Sequence, residues 1–389
     1  MAAILFATLA FSIDAMLPAL PQIAAELSPE AENRAQLVIL SFMFGMGLGT
    51  LIAGPISDAV GRKPVILFGM GIFIIGAIMA ILAQDLTMLL VARLVQGLGA
   101  ACPRIVTLAM TRDLFEGRRM AQITSFIMTI FMIVPAVAPS IGVLIIDLAG
   151  WRAIFVAFIV FSLIGGSWLS LRQPETLAVQ DRRPLRINTL ATAAGEVLRN
   201  KVVMIYTAAM TLGTAQMMGL ITSTQPIYAD VYGKADSFPL WFAASAVIAG
   251  SGTVLNAYLV TRVGMRRLVV IAFGTQFAMA AGFLALLQFG MVPAWAAFPL
   301  WFFWSVSVFF TVGLTFGNLT ALALQPMGHI AGLASSVIAA LSTIFGVILA
   351  IPIGQSFNGT PVPLLIATAL CSFLAWQLMR STVEPVAED

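Results

Sequence analysis

Runs of about twenty mostly apolar residues recur along the whole chain, and short clusters of glycine, proline and charged residues separate them. A helix of about 20 residues is about 30 Å long, which matches the hydrocarbon thickness of a bilayer. The pattern predicts an all-α membrane protein with about twelve spans, at approximately 1–20, 36–57, 64–83, 87–110, 122–148, 151–171, 202–225, 238–260, 267–288, 294–316, 332–354 and 361–380.

Composition excludes the main soluble alternatives. The 389 residues are 60% hydrophobic and 10% charged, whereas a soluble domain has about 25% charged residues. The net charge of +3 comes without a basic run interleaved with aromatics, so we expect no nucleic-acid partner. One histidine, His329, disfavours metal sites and His-based catalysis, and no GxxxxGK[ST] loop indicates ATP use. We therefore expect no metal and no cofactor.

Basic residues predict the orientation of the spans. One alternating set of loops and the last span end hold most of them: Arg62, Lys63, Arg112, Arg118, Arg119, Arg172, Arg182, Arg183, Arg186, Arg199, Lys201, Arg262, Arg266, Arg267 and Arg380. The opposite loops hold only Arg34, Arg152 and Lys234. The basic side should be cytoplasmic, which predicts both termini inside a bacterial inner membrane. The first span lacks a basic start and carries Asp14, so we expect a retained helix and not a signal peptide. Because the sequence begins almost inside the membrane, we expect a short cytoplasmic tail to be missing before it.

A polar, proline-containing stretch divides the chain. It predicts a six-helix bundle at 1–171, a cytoplasmic linker at 172–201, a second bundle at 202–380 and a tail at 381–389. The linker is either flexible or partly an amphipathic surface helix. The loop GPISDAVGRKP at 54–64 repeats weakly as AYLVTRVGMRR at 257–267, which aligns Gly61 with Gly264. This repeat predicts two related six-helix halves.

The loop at 54–64 resembles a signature of the major facilitator superfamily. The matching residues are Gly54, Asp58, Gly61, Arg62 and Lys63. Gly61 permits a sharp turn. The alternative is a charged turn that only follows the positive-inside rule. The resemblance implies two pseudo-symmetric six-helix halves and a gating role for the loop. Thr261 stands in the second copy where the first has the acid, so that copy should be the weaker gate.

The fourth span resembles a second signature of that superfamily, R-x-x-Q-G-x-G-A-A, beginning at Arg93. Asp14 in the first span and Arg93 should lie at similar depth, and each is costly in a membrane without a partner. We interpret them as a proton-coupling pair at a central cavity. The alternative is a purely structural ion pair. Further residues that could line the cavity are Met16, Gln96, Arg104, Gln216, Met217, Phe303 and Trp304.

The fifth span resembles the antiporter signature of the superfamily only in part, at Pro139 and Gly142, with Pro135 near the position of an earlier glycine. Prolines bend a helix and small residues allow close helix packing. Because the match is incomplete, this motif alone does not establish antiport.

Longer segments resemble the bicyclomycin/chloramphenicol-resistance branch of proton-coupled drug exporters. They are IDAMLPALPQIAAEL, GPISDAVGRKP, ARLVQGLGAA, TRDLFEGRR, AGWRAIF and NLTALALQPMGHIAGLASS. The resemblance implies an antiporter, driven by the proton gradient, that exports small and mainly apolar compounds. We expect the protein to be a monomer. A transporter of a metabolite such as a nucleoside or a sugar remains the alternative. A membrane-embedded enzyme is remote, because no nucleophile–base set or metal-ligand set is visible in the spans.

Overall fold

The structure is a computed structural model, and it describes residues 1–182, 184–185 and 187–382. Two basic residues of the predicted linker, Arg183 and Arg186, lie outside the described residues, as does most of the predicted tail, 383–389. Secondary structure in the described part of the chain is helical, with no strand.

Fourteen α-helices follow one another in the described residues. In chain order they are α1 (Ala2–Asp14), α2 (Leu20–Leu27), α3 (Leu37–Val60), α4 (Arg62–Ile81), α5 (Leu86–Leu114), α6 (Gly117–Ala149), α7 (Arg152–Arg172), α8 (Ile187–Arg199), α9 (Lys201–Pro226), α10 (Phe238–Val263), α11 (Met265–Gln288), α12 (Ala294–Leu324), α13 (Ala331–Gln355) and α14 (Val362–Ser381).

Eleven stretches of the described chain are long and apolar enough to cross a membrane. One of them, Ala294–Gln355, is 62 residues long and contains both α12 and α13, which are separated by a non-helical kink at Met327. Division at this kink gives twelve spans, which confirms the predicted all-α membrane fold. The first span is longer than the predicted 1–20, because α1 and α2 form a stretch from Ala2 to Leu27.

The chain forms two compact units. The first comprises Met1–Thr189 together with Asp236–Ala243, and the second comprises Leu190–Ala235 together with Ala244–Asp389.

The first unit is built around α5, along which α3 and α4 both pack. Small residues of the QGLGAA segment bring these helices into backbone contact. A Cβ added to Gly97 would lie 1.9 Å from the Phe42 carbonyl oxygen of α3. A Cβ on Gly99 would lie 2.4 Å from the Phe73 backbone nitrogen of α4. Glycine is therefore required on two faces of α5, since any side chain would push a neighbouring helix away.

In the second unit, α12, α13 and α14 pack on α9, and α11 packs on α12 and α14. Polar side chains connect these helices inside the apolar core. Ser372 of α14 donates a 2.9 Å hydrogen bond to Gln216 of α9. Asn318 of α12 donates a 2.7 Å hydrogen bond to Asn256 of α10. Each pair satisfies one polar atom of a buried amide inside the apolar core.

Part of the predicted linker is helical, in agreement with the amphipathic-helix alternative. Helix α8 buries Ala193 and Val197, while Leu198 on its other side is 52% exposed. Its Glu196 lies 2.7 Å from Nε2 of His329, which follows α12.

Candidate functional site

Arg93 lies completely buried in α5 and is held by three helices of the first unit. Its guanidinium donates to the carbonyl oxygen of Ser12 at 3.0 Å, to that of Val38 at 3.1 Å and to Oε1 of Gln96 at 2.6 Å. The charge also lies 4.3 Å from the centre of the Phe42 ring. These contacts connect α1, α3 and α5, so the side chain has a structural role in addition to any other.

Asp14 is the last residue of α1 and stands near the middle of the long first span. It is 6% exposed. Within the described part of the chain, its carboxylate has no hydrogen bond and no ion pair. The expected ion pair with Arg93 is therefore not formed in this structure, because the Arg93 donors reach the Ser12 carbonyl two residues earlier. Asp14 is therefore two residues along the chain from a hydrogen-bond partner of Arg93 without itself being a partner.

The other candidates of the first unit differ in their surroundings. Met16 is fully buried just after α1. Gln96 accepts the hydrogen bond from Arg93, and its Nε2 has no partner among the described residues. Arg104 is partly buried on α5, eleven residues after Arg93, and makes no hydrogen bond or ion pair within the described chain. An arginine in a span is costly unless it reaches water, so Arg104 stays a candidate for lining the cavity, with a side chain that extends to the membrane surface as the alternative.

The residues of the partial antiporter signature lie in α6, which contains Pro135 and Pro139 inside the helix. A Cβ added to Gly142 would lie 2.3 Å from the carbonyl oxygen of Ala15. Gly142 therefore lets α6 approach the chain directly beside Asp14. The signature is incomplete in sequence, but its glycine packs against Ala15, which directly follows the candidate coupling residue Asp14.

In the second unit the candidates separate into buried and exposed side chains. Gln216 is buried and accepts from Ser372, Met217 is half-buried beside it, and Trp304 is buried with its ring 5.1 Å from that of Trp301. The indole Nε1 of Trp304 has no partner among the described residues. Phe303 is 63% exposed on the surface, an exposure that favours contact with lipid.

The loop between α3 and α4 is organised around Arg62. Its Nε donates to Asp113 at 2.9 Å, and its Nη1 donates to Asp58 at 2.5 Å and to Ser57 at 2.7 Å. Gly61 adopts φ +116°, a conformation open to glycine, and Gly54 lies on α3 one turn before the charged cluster. The side chain of Lys63 reaches the carbonyl oxygen of Ser170 at 2.8 Å.

A carboxylate from the predicted linker completes this cluster. Glu175 accepts from the backbone N–H groups of Arg62 at 2.9 Å, Lys63 at 3.1 Å, Thr176 at 2.9 Å and Leu177 at 3.0 Å. It thereby caps α4, whose N-cap residue Gly61 has no side chain to do so. Partial burial acts to raise the pKa of Glu175, but the four N–H groups outweigh it and hold this pKa below its ordinary value.

Asp113 and Glu175 are cluster members that the sequence did not single out. Asp113 lies in the TRDLF segment, in the last turn of α5, and Glu175 follows a proline in a polar stretch. The sequence signal that could have identified Asp113 is an acidic residue at the end of a span, on the side predicted to be cytoplasmic.

The corresponding turn of the second unit has the same backbone form with different partners. Gly264 adopts φ +85° between α10 and α11. Thr261 donates only to the carbonyl oxygen of Tyr258, at 3.3 Å. Arg266 donates to Thr382 Oγ1 at 2.9 Å and to the Met379 carbonyl oxygen at 3.1 Å.

The fold and these clusters define a polytopic helical membrane protein with charged groups inside its first helical unit. The family model described as Major Facilitator Superfamily matches residues 2–351, and the chain belongs to this family. It is a membrane transporter and not an enzyme.

Relatives and solved structures agree with this assignment. The chain is similar to the bicyclomycin resistance protein homolog of Haemophilus influenzae, with 30% identity over 95% of this chain and 93% of that protein. It is 27% identical to the multidrug resistance protein MdtL of Citrobacter koseri, over 96% of this chain and 93% of that protein. A crystal structure of a D-xylose–proton symporter superposes with a TM-score of 0.78 at 14% identity, over 98% of this chain and 96% of that one. At this identity the symporter shows the fold alone.

Proposed function

We propose that this transporter is a proton-coupled antiporter that exports small, mainly apolar drugs by alternating access. The observation that carries the coupling proposal is Asp14, a carboxyl group buried in the middle of the first span without a partner among the described residues. The names of the two relatives concern resistance to bicyclomycin and to multiple drugs. We further propose a bacterial inner-membrane location with both termini in the cytoplasm, on the basis of the basic loops.

A coupling site must gain and lose a proton during the cycle, and a buried carboxyl group can do so. A charged carboxylate without a partner in a span is costly, so we expect Asp14 to carry a proton in this conformation. Release requires a conformation that hydrates the group or brings a cation to it. Arg93 cannot replace it as the titrating group, because a guanidinium keeps its charge in proteins.

The position of Arg93 supports a positioning role beside Asp14. Its bond to the Ser12 carbonyl fixes the last turn of α1, and Asp14 is two residues further on. A shift of α1 relative to α5 would change the distance between the two charges. The pair expected from the sequence is therefore proposed for another conformation of the cycle.

The second unit supports a mainly apolar substrate. Between Arg267 and Arg380 the sequence contains no Asp, Glu, Lys or Arg, so no fixed charge is available there to bind a phosphate or carboxylate group of a substrate. Buried amide and indole groups, at Gln216 and Trp304, provide hydrogen bonds without charge. This combination suits neutral compounds with a few polar atoms.

The test is uphill export in proteoliposomes under an imposed pH gradient, with bicyclomycin as the first substrate. Asp14→Asn keeps the shape and removes the titration, so export should fall to the level of empty liposomes while substrate binding persists. Arg93→Lys should be partly active, because a lysine keeps the charge but loses the wide planar guanidinium that reaches acceptors on three helices.

Asp147→Asn is the matched control, because it makes the same substitution at an exposed position near the end of α6. It should export at the parental rate. Uphill export by Asp14→Asn at the parental rate would place the coupling group elsewhere.

A second candidate, a carrier of nucleosides or sugars, shares the fold and the Asp14 site. A susceptibility panel in an efflux-deficient host, with and without a protonophore, separates it from drug export. Resistance that the protonophore abolishes supports our proposal, whereas nucleoside or sugar counterflow without drug resistance supports the alternative. We expect a monomer that needs no cofactor beyond the proton gradient.

A further inference from the structure

A basic pocket lies at one end of the second unit, where α11 begins and α14 ends. It has a volume of about 320 Å³ and is lined by Arg266, Arg267, Arg380, Val270 and Ile271. Three guanidinium groups therefore share one small recess at the end of two membrane spans.

No carboxylate in the described part of the chain neutralises these three charges. Arg266 uses its donors on Thr382 and on the last carbonyl groups of α14, a helix end that carries a partial negative charge. Arg267 is exposed, and the described structure gives its side chain no hydrogen bond. Arg380 lies 5.0 Å from the ring centre of Trp376 and has no acidic partner there. Among the described residues, the recess therefore carries a positive charge that no carboxylate compensates.

The wall of the pocket turns apolar towards the membrane interior. Val270 and Ile271 stand one helical turn further along α11 than Arg266 and Arg267, and Ile271 is 55% exposed. A ligand that combines an anionic group with a hydrocarbon chain would match both parts at once. Arginine is suited to phosphate because its planar group donates two parallel hydrogen bonds.

We propose that this pocket binds the phosphate headgroup of an anionic phospholipid, with Arg267 and Arg380 on the phosphate and Ile271 against an acyl chain. Basic pockets between spans on the cytoplasmic side are a recognised form of lipid recognition. The proposal requires only that the chain spans a membrane, so it stands independently of drug export and proton coupling.

A free phosphate compound would satisfy the arginines but not the exposed apolar wall. The experiment must therefore distinguish the two sources. The full-length protein is purified in a neutral detergent, and its affinities for fluorescent phosphatidylglycerol and phosphatidylcholine are compared. We expect selective binding of phosphatidylglycerol, with no competition from inorganic phosphate or glycerol phosphate at equal concentration.

The variant Arg267→Gln/Arg380→Gln should bind phosphatidylglycerol about 30-fold more weakly, since each basic side chain near an anionic lipid surface contributes about fivefold. Arg266 is left in place because it holds the end of α14. Arg267→Lys/Arg380→Lys retains both charges but loses the planar two-donor groups, so its affinity should fall between that of the parent and that of the glutamine variant.

Arg118→Gln/Arg119→Gln is the matched control. It removes two charges from the first turn of α6, and Arg119 contacts the ring of Phe115 as Arg380 contacts that of Trp376. This control should bind as the parent does. An equal loss in the control would overturn the proposal in favour of diffuse surface charge, and effective competition by inorganic phosphate would overturn it in favour of a free-phosphate site.

The acidic residues near the end of the sequence are the subject of a third set of variants in the same binding experiment. Glu384, Glu388 and Asp389 lie outside the described residues, and they follow Arg380 closely in the chain. If phosphatidylglycerol binds the full-length protein only after Glu384→Gln/Glu388→Gln/Asp389→Asn, the tail and not a lipid occupies the pocket. Equal binding with and without these substitutions supports the lipid site.

Discussion

Two turns of the molecule share a backbone form and differ in how their charges are compensated. In the α3–α4 turn, Arg62 meets Asp58 and Asp113, and Glu175 accepts from its backbone nitrogen. In the α10–α11 turn, Arg266 meets a hydroxyl group and backbone carbonyls. A glycine followed by basic residues therefore predicts the backbone form of the turn. Acidic residues near the turn determine whether its arginine forms ion pairs.

The difference has a simple origin in sequence. The first unit supplies acids at the ends of α3 and α5 and after α7, whereas the stretch between Arg267 and Arg380 contains none. The first turn is consequently a closed ion-pair network, suited to holding helix ends together until a conformational change breaks it. The second is an open basic surface, suited to an external anion.

The largest expected contrast concerns transport. Asp58→Asn keeps an acceptor oxygen for the Arg62 guanidinium but removes the negative charge, so the ion pair becomes a weaker hydrogen bond to a neutral amide. We expect the transport rate to fall about five- to tenfold, since about 1 kcal/mol moves a conformational equilibrium by this factor. Thr261→Ala, at the aligned position, should leave the rate within about twofold, because it removes one bond to a nearby carbonyl.

Initial rates in proteoliposomes and substrate affinity measured by calorimetry test this contrast. Substrate binding should survive Asp58→Asn, because the proposed role is gating and not recognition. A loss of binding with an unchanged conformational equilibrium would contradict a gating role for the first turn.

Sequence predicted the fold well because apolar length is a strong signal in membranes. Twelve spans were expected, and the structure differs mainly in their ends, as in the first span, which continues to Leu27. Pro18 and Pro21 follow Asp14 closely, and prolines commonly interrupt a helix. The chain instead passes through a short 3₁₀ turn at Leu17–Ala19 and continues as α2, so the helical stretch does not stop there.

For the site, the sequence predicted individual residues and their depth in the membrane, but not the contacts between them. Asp14 and Arg93 were identified because charges in spans are rare. Their pairing was inferred from depth alone, and depth could not reveal that the Ser12 and Val38 carbonyls would take the arginine donors. Glu175 was missed because its partners are backbone N–H groups, which carry no sequence signature.

A smaller difference is expected between alanine substitutions at the two turn glycines, Gly61 and Gly264, in the free energy of unfolding. Both adopt positive φ with extended ψ, so an alanine at either should cost about 1–3 kcal/mol of backbone strain. At Gly61 a Cβ would also lie 2.6 Å from Oε2 of Glu175 and would displace the cap of α4. We expect Gly61→Ala to be more destabilising than Gly264→Ala by about 1 kcal/mol. Chemical denaturation in detergent measures the difference, and equal effects would show that the Glu175 contact adds nothing.

The smallest expected effect is the pH dependence contributed by Glu175. Because the folded protein holds the pKa of Glu175 below its ordinary value, the carboxylate stabilises the fold fully above the unfolded pKa of about 4.3. This contribution disappears as the pH falls through the folded pKa. Glu175→Gln keeps an oxygen for the N–H groups that Oε1 accepts and turns an amide against the N–H of Lys63. We expect it to cost about 1 kcal/mol at pH 7, a value reduced for the partial exposure of the group.

The difference between parent and Glu175→Gln should therefore be constant from pH 7 down to about pH 5 and should shrink below about pH 4. Glu116→Gln is the control, because Glu116 is exposed at the start of α6 and accepts no backbone hydrogen bond as an N-cap. Its stability should follow that of the parent at every pH. If the difference for Glu175→Gln persisted unchanged at the lowest pH, the effect would come from packing of the linker and not from the charge, and the first turn would depend on its ion pairs at Arg62 alone.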